Sequence, residues 1–396
     1  MRQVYLDHQA GTPLLPEALE AMRPFLSEHF GNPSSLHQYG LRARDALEAA
    51  RARIAGFIHA ESPENIIFTS DGTEAANLAV KGTAWAGQRR GNHLVVSGIE
   101  HPAVLHSAAF LESQGFACTR LPVDRLGRID PEQVRNAITD KTILVAIHHV
   151  NHDIGTIEPI RALAEAAHEK GVPLYVDAEA SAGWVPVDVR ALGADLLSFS
   201  PHRFYGPKGV GVLYRHRRAR LASLLHGGDQ EGGWRAGVEN VAGIVGAGVA
   251  AEIAQREQPR RAAHAAHLQK RLWEGLRAKI TRLRLNGPEP GPDRSPVNLN
   301  ISAEGAEGEG QMLLADMRGI ALASGSACVS KALAASPVLR GIGLEASLAQ
   351  AAVIFSLGQD NSGEDIDYVL ETFPPIIAKL REMSPAWDEP RSVPAR

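Results

Sequence analysis

From about residue 16 to residue 255, the sequence alternates helical patterns with short apolar segments. Six of these segments have the length of buried strands: 65–69, 93–97, 142–147, 174–177, 195–199 and 211–214. Helical patterns lie between them, for example over 36–59 and 160–170. This order is typical of a mostly parallel sheet with helices on both faces. We therefore predict an α/β fold.

A shift in composition near residue 256 predicts where this large domain ends, so we place it at 16–255. From 256 to about 280 the chain is rich in Ala, Arg, Gln and Leu at helical spacing. After a loop rich in Gly and Pro at 287–292 it returns to mixed strands and helices, which predicts a smaller carboxy-terminal domain. Residues 386–396 are rich in Pro and charge, and we expect them to form a loose tail.

Composition excludes several classes of function. The 396 residues are 44% hydrophobic and 22% charged with a net charge of −4, so we expect no direct binding to nucleic acid or to acidic membranes. No apolar run approaches the roughly 18 residues of a membrane span, and the amino terminus lacks a signal-peptide pattern, so we expect a cytoplasmic protein. The two cysteines, Cys118 and Cys328, are too few for a disulfide framework or a zinc site.

A series of short motifs extends over nearly the whole chain, at 6–13, 30–37, 69–77, 100–101, 149–155, 176–178, 206–209 and 324–328. In this order they resemble the motifs of the cysteine desulfurases, which are pyridoxal-phosphate (PLP) enzymes of the class V aminotransferase group. The resemblance implies PLP fold type I, with a large α/β domain and a smaller α+β domain. The smaller domain would contain residues 1–15 and 256–385 and carry Cys328. The resemblance also implies a homodimer with sites at the subunit interface.

The resemblance implies a cofactor site with recognisable parts. Gly72 and Thr73 follow a strand and open a helix, so their backbone N–H groups and the Thr hydroxyl suit a phosphate. Asp177 ends a buried strand and would pair with the pyridine nitrogen of PLP, although a helix cap or a buried ion pair is an alternative. Four further residues are implied by the resemblance alone: His101 stacking on the ring, Asn151 at the ring hydroxyl and substrate carboxylate, and Ser200 and His202 on the phosphate side and the rim.

Arg203 departs from the family at the most critical position. It stands where the family has the lysine that holds PLP as a Schiff base. An arginine stays protonated, with a pKa above about 12, and has no free lone pair to condense with an aldehyde. Arg203 can still bind an anion at the cofactor site. PLP is therefore expected either to bind without a Schiff base or to be absent, and Lys208, which belongs to the family pattern, is not expected to substitute.

Three further departures fall on residues that contact the cofactor or the substrate in the family. Ala180 replaces a glutamine at the ring hydroxyl, Val238 replaces a threonine or serine at the phosphate, and Ile354 replaces an arginine at the substrate carboxylate. The loss of that arginine removes a geometrically specific partner for an amino-acid carboxylate. Lysine-dependent desulfurase activity is therefore predicted to be absent.

Cys328 is retained in a stretch of small residues, Ser324-Gly-Ser-Ala-Cys328. In the family this thiolate takes sulfur from substrate cysteine, which leaves a persulfide on the enzyme and releases alanine. A first hypothesis is a protein of sulfur mobilisation or iron–sulfur cluster assembly in which Cys328 carries a persulfide or binds a cluster. A second is an active enzyme with non-covalent PLP and His101 as the base. A third is a non-catalytic structural or regulatory subunit.

Partner proteins follow from the first of these hypotheses. An iron–sulfur scaffold or a sulfur acceptor would be the partner.

A metal site could be suspected at His148, His149, His152 and Asp153, which are close together in sequence. Their spacing does not fit one face of a helix, so we do not expect a metal site there.

Overall fold

The computed structural model describes residues 2–324, 336–384 and 387. Its strands are β1 (Val4–Tyr5), β2 (Ile66–Thr69), β3 (His93–Ser97), β4 (Ala117–Leu121), β5 (Thr142–His148), β6 (Leu174–Asp177), β7 (Leu196–Phe199), β8 (Gly211–Arg215), β9 (Leu283–Leu285), β10 (Asn298–Ala303), β11 (Ile320–Ala321) and β12 (Ala352–Ser356). Its α-helices are α1 (Pro16–Ser27), α2 (Gln38–Phe57), α3 (Gly72–Asn77), α4 (Thr83–Gly87), α5 (Pro102–Ser113), α6 (Pro131–Ala137), α7 (Ile160–His168), α8 (Val189–Leu192), α9 (Val241–Lys279), α10 (Gly308–Asp316), α11 (Pro337–Gly341), α12 (Ala346–Gln350) and α13 (Gly363–Met383).

A seven-stranded sheet in the order β2-β8-β7-β6-β5-β3-β4 forms the centre of the molecule. The strands from β7 to β4 pair in parallel, while β8 is antiparallel to both of its neighbours. The inner strands β3, β5, β6 and β7 are buried along their whole length. Burial on both faces explains why they are continuous apolar runs rather than alternating ones. The predicted α/β class is confirmed.

Two smaller sheets use the carboxy-terminal part of the chain. β12, β10 and β9 form an antiparallel sheet, and β1 pairs in parallel with β11. Val4 lies opposite Ile320 in that pair, so the amino terminus packs with the carboxy-terminal part. α9 runs without a break across residue 256, and the proposed division into two domains remains a prediction. Of the predicted tail 386–396, only Trp387 is among the described residues.

The predicted strands and helices agree with this architecture. All six strand segments correspond to β2, β3, β5, β6, β7 and β8, and the two helical patterns correspond to α2 and α7. Cys118 lies inside β4. In the described part of the chain, no helix is both long enough and apolar enough to cross a membrane.

Candidate functional site

The candidate site lies at the carboxyl edge of the central sheet. Asp177 is the last residue of β6, His148 is the last of β5, and Ser200 directly follows β7. β5, β6 and β7 run in the same direction, so their ends bring these side chains to one edge. His101 directly precedes α5, and Gly72 begins α3. Ligand sites in open α/β sheets usually lie at this edge.

Asp177 has one engaged and one free carboxylate oxygen. Oδ1 accepts a hydrogen bond of 2.9 Å from the backbone N–H of Glu179. Oδ2 is buried and finds no hydrogen-bond partner within the described residues. Burial raises the pKa of Asp177, and the nearby Glu100 carboxylate raises it further. A free buried acceptor fits the predicted contact with a pyridine nitrogen, which remains a prediction.

A buried charge network lies beside Asp177, which is the register partner of His148 on the neighbouring strand. Nδ1 of His148 is 2.6 Å from Oε1 of Glu100, and its Nε2 is 3.7 Å from Oε1 of Glu158. Burial alone would lower the pKa of His148, but the carboxylates of Glu100, Glu158 and Asp177 raise it to about 9. The His148 imidazolium therefore offsets part of the negative charge around Asp177.

A cavity opens next to Asp177. Its lining consists of Gln9, His101, His148, Val150, His152, Asp177, Glu179, Ala180 and Arg203. The volume is about 10 Å³, which is room for about one water molecule. His101, Asp177 and Arg203, all predicted as site residues, line this one cavity, and their roles there remain predictions.

His101 is held as a neutral helix cap at the wall of this cavity. Burial lowers its pKa, and the positive charge of Arg203 lowers it further. Its Nδ1 accepts a hydrogen bond of 3.2 Å from the backbone N–H of Ala103. The neutral ring therefore carries its proton on Nε2, and its lone pair is already engaged. His152 meets His101 edge to face, with 5.2 Å between the ring centroids.

The predicted phosphate end of the site, at Gly72 and Ser200, lies outside the cavity lining but is contacted by Glu179, which does line the cavity. The Ser200 hydroxyl accepts a hydrogen bond of 2.8 Å from the backbone N–H of Gly72 and donates one of 2.9 Å to Oε1 of Glu179. Nε of Arg203 lies 3.6 Å from Oε2 of Glu179, as an ion pair. Burial raises the pKa of Glu179, while the Arg203 charge opposes that rise.

Several predicted site residues do not line the cavity. Asn151 is buried, and its amide group is engaged by backbone groups of its own loop and of the loop after β3. Thr73 is exposed on α3, and His202 is half-buried with its backbone carbonyl accepting from Thr12. Their predicted cofactor contacts remain predictions. Cys328, predicted as nucleophile and as iron–sulfur ligand, lies outside the described residues.

The other departures from the family pattern are spread over the molecule. Ala180 lines the cavity, Ile354 is buried in β12, and Val238 is exposed. Lys208 is exposed near Gly11 and does not line the cavity. Over the ranges described, no group of three or more His, Cys, Asp or Glu side chains is arranged to hold a metal ion.

The residues present do not fit PLP in this structure. The free Oδ2 of Asp177 matches a need of the cofactor. The cavity has room for about one water molecule, which is less than a substituted pyridine ring needs, and Glu179 takes the hydrogen bond that Ser200 would give to a phosphate. None of the described residues that line the cavity is a lysine. No catalytic step through PLP follows from this geometry.

Glu179 is the residue that sequence reasoning missed. It stands two positions after the end of β6, between Asp177 and Ala180, in the run Asp-Ala-Glu-Ala-Ser. The available signal was an ionisable side chain two positions after a fully buried strand. Such a residue is expected to be buried only with a charged or hydrogen-bonding partner.

Comparisons with known proteins agree with this architecture. The aminotransferase class-V family model matches residues 4–369. The chain is 47% identical over 388 residues to a cysteine desulfurase IscS of Clostridium botulinum, covering 98% of both chains. It is 46% identical over 388 residues to the cysteine desulfurase IscS of Dictyoglomus turgidum, again covering 98% of both.

Solved structures give the same result. A NifS-like protein superposes with a TM-score of 0.89 at 33% identity, covering 96% of this chain and 100% of that one. A structure described as SspA in complex with cysteine superposes with a TM-score of 0.79 at 34% identity, covering 91% and 100%. The match of the family model over most of the chain and the full-length identity to cysteine desulfurases lead to one conclusion. This chain belongs to the class-V aminotransferase family and, within it, to the cysteine desulfurases.

Proposed function

We propose that this protein acts in sulfur mobilisation and iron–sulfur cluster assembly without lysine-dependent PLP chemistry of its own. Membership of the family implies PLP as the ancestral cofactor, and the relatives are named cysteine desulfurases. In this proposal the fold is kept while the chemistry at the cofactor position has changed. Cys328 is the residue that handles sulfur, either as a persulfide carrier or as a ligand to a cluster.

The observation that carries this proposal is the pairing of Arg203 with Glu179 inside a cavity of about 10 Å³. A guanidinium neither condenses with an aldehyde nor accepts a proton at accessible pH. His101 does not replace the lysine as a base, because its lone pair caps α5. Ile354 is buried in β12 and offers no charge to a substrate carboxylate.

The reaction proposed for Cys328 is sulfur transfer from a persulfide donor. The Cys328 thiolate attacks the terminal sulfur of R–S–SH, a Cys328–sulfur bond forms, and the donor leaves as the thiolate R–S⁻. No net oxidant or reductant is required, because the donor supplies the sulfur already oxidised. The Cys328 persulfide then passes its terminal sulfur to an acceptor thiolate in the same way.

The proposal includes a homodimer and a protein acceptor, an iron–sulfur scaffold or a sulfur carrier. Family resemblance supports the dimer, and an apolar exposed surface around Phe30 and Tyr39 is consistent with a protein contact. The cytoplasmic location predicted from the sequence is also part of this proposal.

The test has two assays on the purified full-length chain. In the first, the protein is incubated with a small-molecule persulfide, and intact-mass analysis follows the gain of one sulfur atom. We expect the wild type to gain it and Cys328→Ala not to gain it. Cys118 serves as the internal control, since burial raises the pKa of its thiol to about 11 and keeps it in the unreactive form.

In the second assay, L-cysteine is supplied with and without added PLP, and alanine is quantified. We expect no alanine. Alanine release by the wild type would contradict the proposal and favour an active enzyme with non-covalent PLP. If the wild type and Cys328→Ala gained sulfur equally, Cys328 would not be the persulfide carrier, and a structural or regulatory subunit would be favoured.

A further inference from the structure

We propose that Glu179 is an internal substitute for the phosphate of the cofactor and that, paired with Arg203, it closes the site to PLP. The inference rests on the proposed function, which takes the cavity to be the cofactor position of the family. It goes further because it assigns the exclusion of PLP to Glu179, which is not one of the four departures from the family pattern described above. A change at Arg203 alone would therefore leave the site closed.

The first support is the position of the Glu179 carboxylate. Oε1 accepts the Ser200 hydroxyl proton at 2.9 Å, and that hydroxyl in turn accepts from the backbone N–H of Gly72 at 2.8 Å. A Cβ atom placed on Gly72 would collide with Oε1, so the carboxylate lies directly against the first residue of α3. A bound phosphate would need the same space and the same hydroxyl proton.

The second support is the helix behind Gly72. α3 continues through a π-helical stretch, Leu78–Gly82, into α4, so residues 72–87 form one helical segment. The amino end of such a segment favours a negative group. Glu179 supplies that charge from within the chain, and its side chain is only 12% exposed. An anion arriving from solvent would meet this charge in a buried setting.

The third support is the complementarity of the two side chains. Oε2 of Glu179 faces Nε of Arg203 at 3.6 Å. Nε of Arg203 is buried and has no hydrogen-bond partner in the described ranges, so its contact with this carboxylate is an ion pair without a hydrogen bond. In this ion pair the Glu179 carboxylate replaces the phosphate of the cofactor, and the Arg203 guanidinium replaces the amine of the lysine.

The test measures PLP binding rather than turnover. Wild type, Arg203→Lys, Glu179→Ala and the double variant are dialysed to equilibrium against PLP, and bound cofactor and visible absorbance are recorded. We expect the double variant to bind at least about tenfold more tightly than Arg203→Lys, since it regains the charged hydrogen bonds of the phosphate end. The visible band of lysine-bonded PLP is expected in the double variant only.

A matched control separates the position of the carboxylate from its charge. Glu74 lies two residues beyond Gly72 on α3, but its carboxylate is bonded to Arg235 at 2.9 Å and not to Ser200. Glu74→Ala combined with Arg203→Lys removes one negative charge near the site without emptying the phosphate end. We expect no gain in PLP binding from this combination.

The inference is overturned if Arg203→Lys alone binds PLP as tightly as the double variant with Glu179→Ala, or if that double variant folds and binds no better than Arg203→Lys. Equal gains from the Glu74 and Glu179 combinations would also overturn it. The proposed role of Cys328 is tested separately by persulfide loading, so failure of one proposal is distinguishable from failure of the other.

A second measurement keeps the inference testable if the double variant does not fold. Glu179→Ala alone retains Arg203, Ser200 and the Gly72 N–H as donors for an anion. We expect inorganic phosphate to raise its melting temperature, with binding at least about tenfold tighter than to the wild type. A folded Glu179→Ala protein that shows no gain in phosphate binding would contradict the inference.

Discussion

Breaking the Glu179–Arg203 pair should cost stability in a way that depends on pH. Two opposite charges about 4 Å apart interact by about 4 kcal/mol at the effective dielectric constant of a partly exposed site. The observed Nε–Oε2 distance is 3.6 Å, but the Arg203 side chain is 22% exposed and that contact is not a hydrogen bond. Desolvation offsets part of the attraction, so we expect a coupling free energy of about 1–3 kcal/mol when both groups are charged.

The pH dependence follows from the pKa of Glu179. Burial raises it from the ordinary 4.5 to about 7 in the folded protein, although Arg203 lowers it. Folding therefore takes up a proton in this range, and stability falls as pH rises from 4.5 towards 7. Removing Arg203 raises the pKa of Glu179 further, which extends this loss to higher pH. The pair stabilises the fold above about pH 7 and contributes little well below it.

The assay is a double-mutant cycle of Arg203→Met and Glu179→Gln by urea unfolding at about pH 5 and about pH 8. We expect coupling of about 1–3 kcal/mol at the higher pH and below about 0.5 kcal/mol at the lower. Arg203→Lys, which keeps the positive charge, is the control and should retain most of the coupling. Equal coupling at both values, or none at the higher one, would refute this account of the pair.

Two further predictions concern parts of the molecule outside the cavity. Glu231→Gln should lower the free energy of unfolding by about 3 kcal/mol, because Arg51 is buried and pairs with both carboxylate oxygens of Glu231 at 2.7 Å. Glu112→Gln is the control: it breaks a more exposed pair with Arg120 and should cost less than about 1 kcal/mol. Equal losses of unfolding free energy for the two variants in urea would contradict this prediction. Cys118 should react with iodoacetamide far more slowly than an unfolded-chain thiol at about pH 8, because burial raises its pKa to about 11; mass spectrometry of native and urea-unfolded protein checks this.

The central sheet was predictable because its inner strands are buried on both faces. A fully apolar run bounded by turns gives a clear signal, and the residues of β5 and β6 illustrate it. The first half of α9 gave no such signal. Its residues from Ala242 to Ala251 are almost all buried, so the segment lacks the amphipathic stripe by which a surface helix is recognised. Its composition shift at 256 marks the point at which the same helix becomes more exposed.

The candidate site was predictable where one residue could be compared with one family position. Arg203 and Asp177 were identified in this way, and both line the cavity. Glu179 was not, because its role depends on contacts with Ser200 and Gly72, which are 21 and 107 positions away in the chain (200 − 179 and 179 − 72). No periodicity or local spacing records such contacts, so only the folded arrangement reveals them.

The geometry of this pair bears on the proposed absence of lysine-dependent PLP chemistry. An arginine at position 203 with an empty phosphate end would leave a strong anion site, with Ser200, the Gly72 N–H and a guanidinium all free to bind. A buried Glu179 without Arg203 would be an uncompensated charge. Each of the two residues alone would leave either an open anion site or an unpaired buried charge, whereas together they form an ion pair with no net charge. The two positions are therefore expected to depend on each other in stability and in PLP exclusion, and restoring the lysine alone is expected not to restore PLP binding.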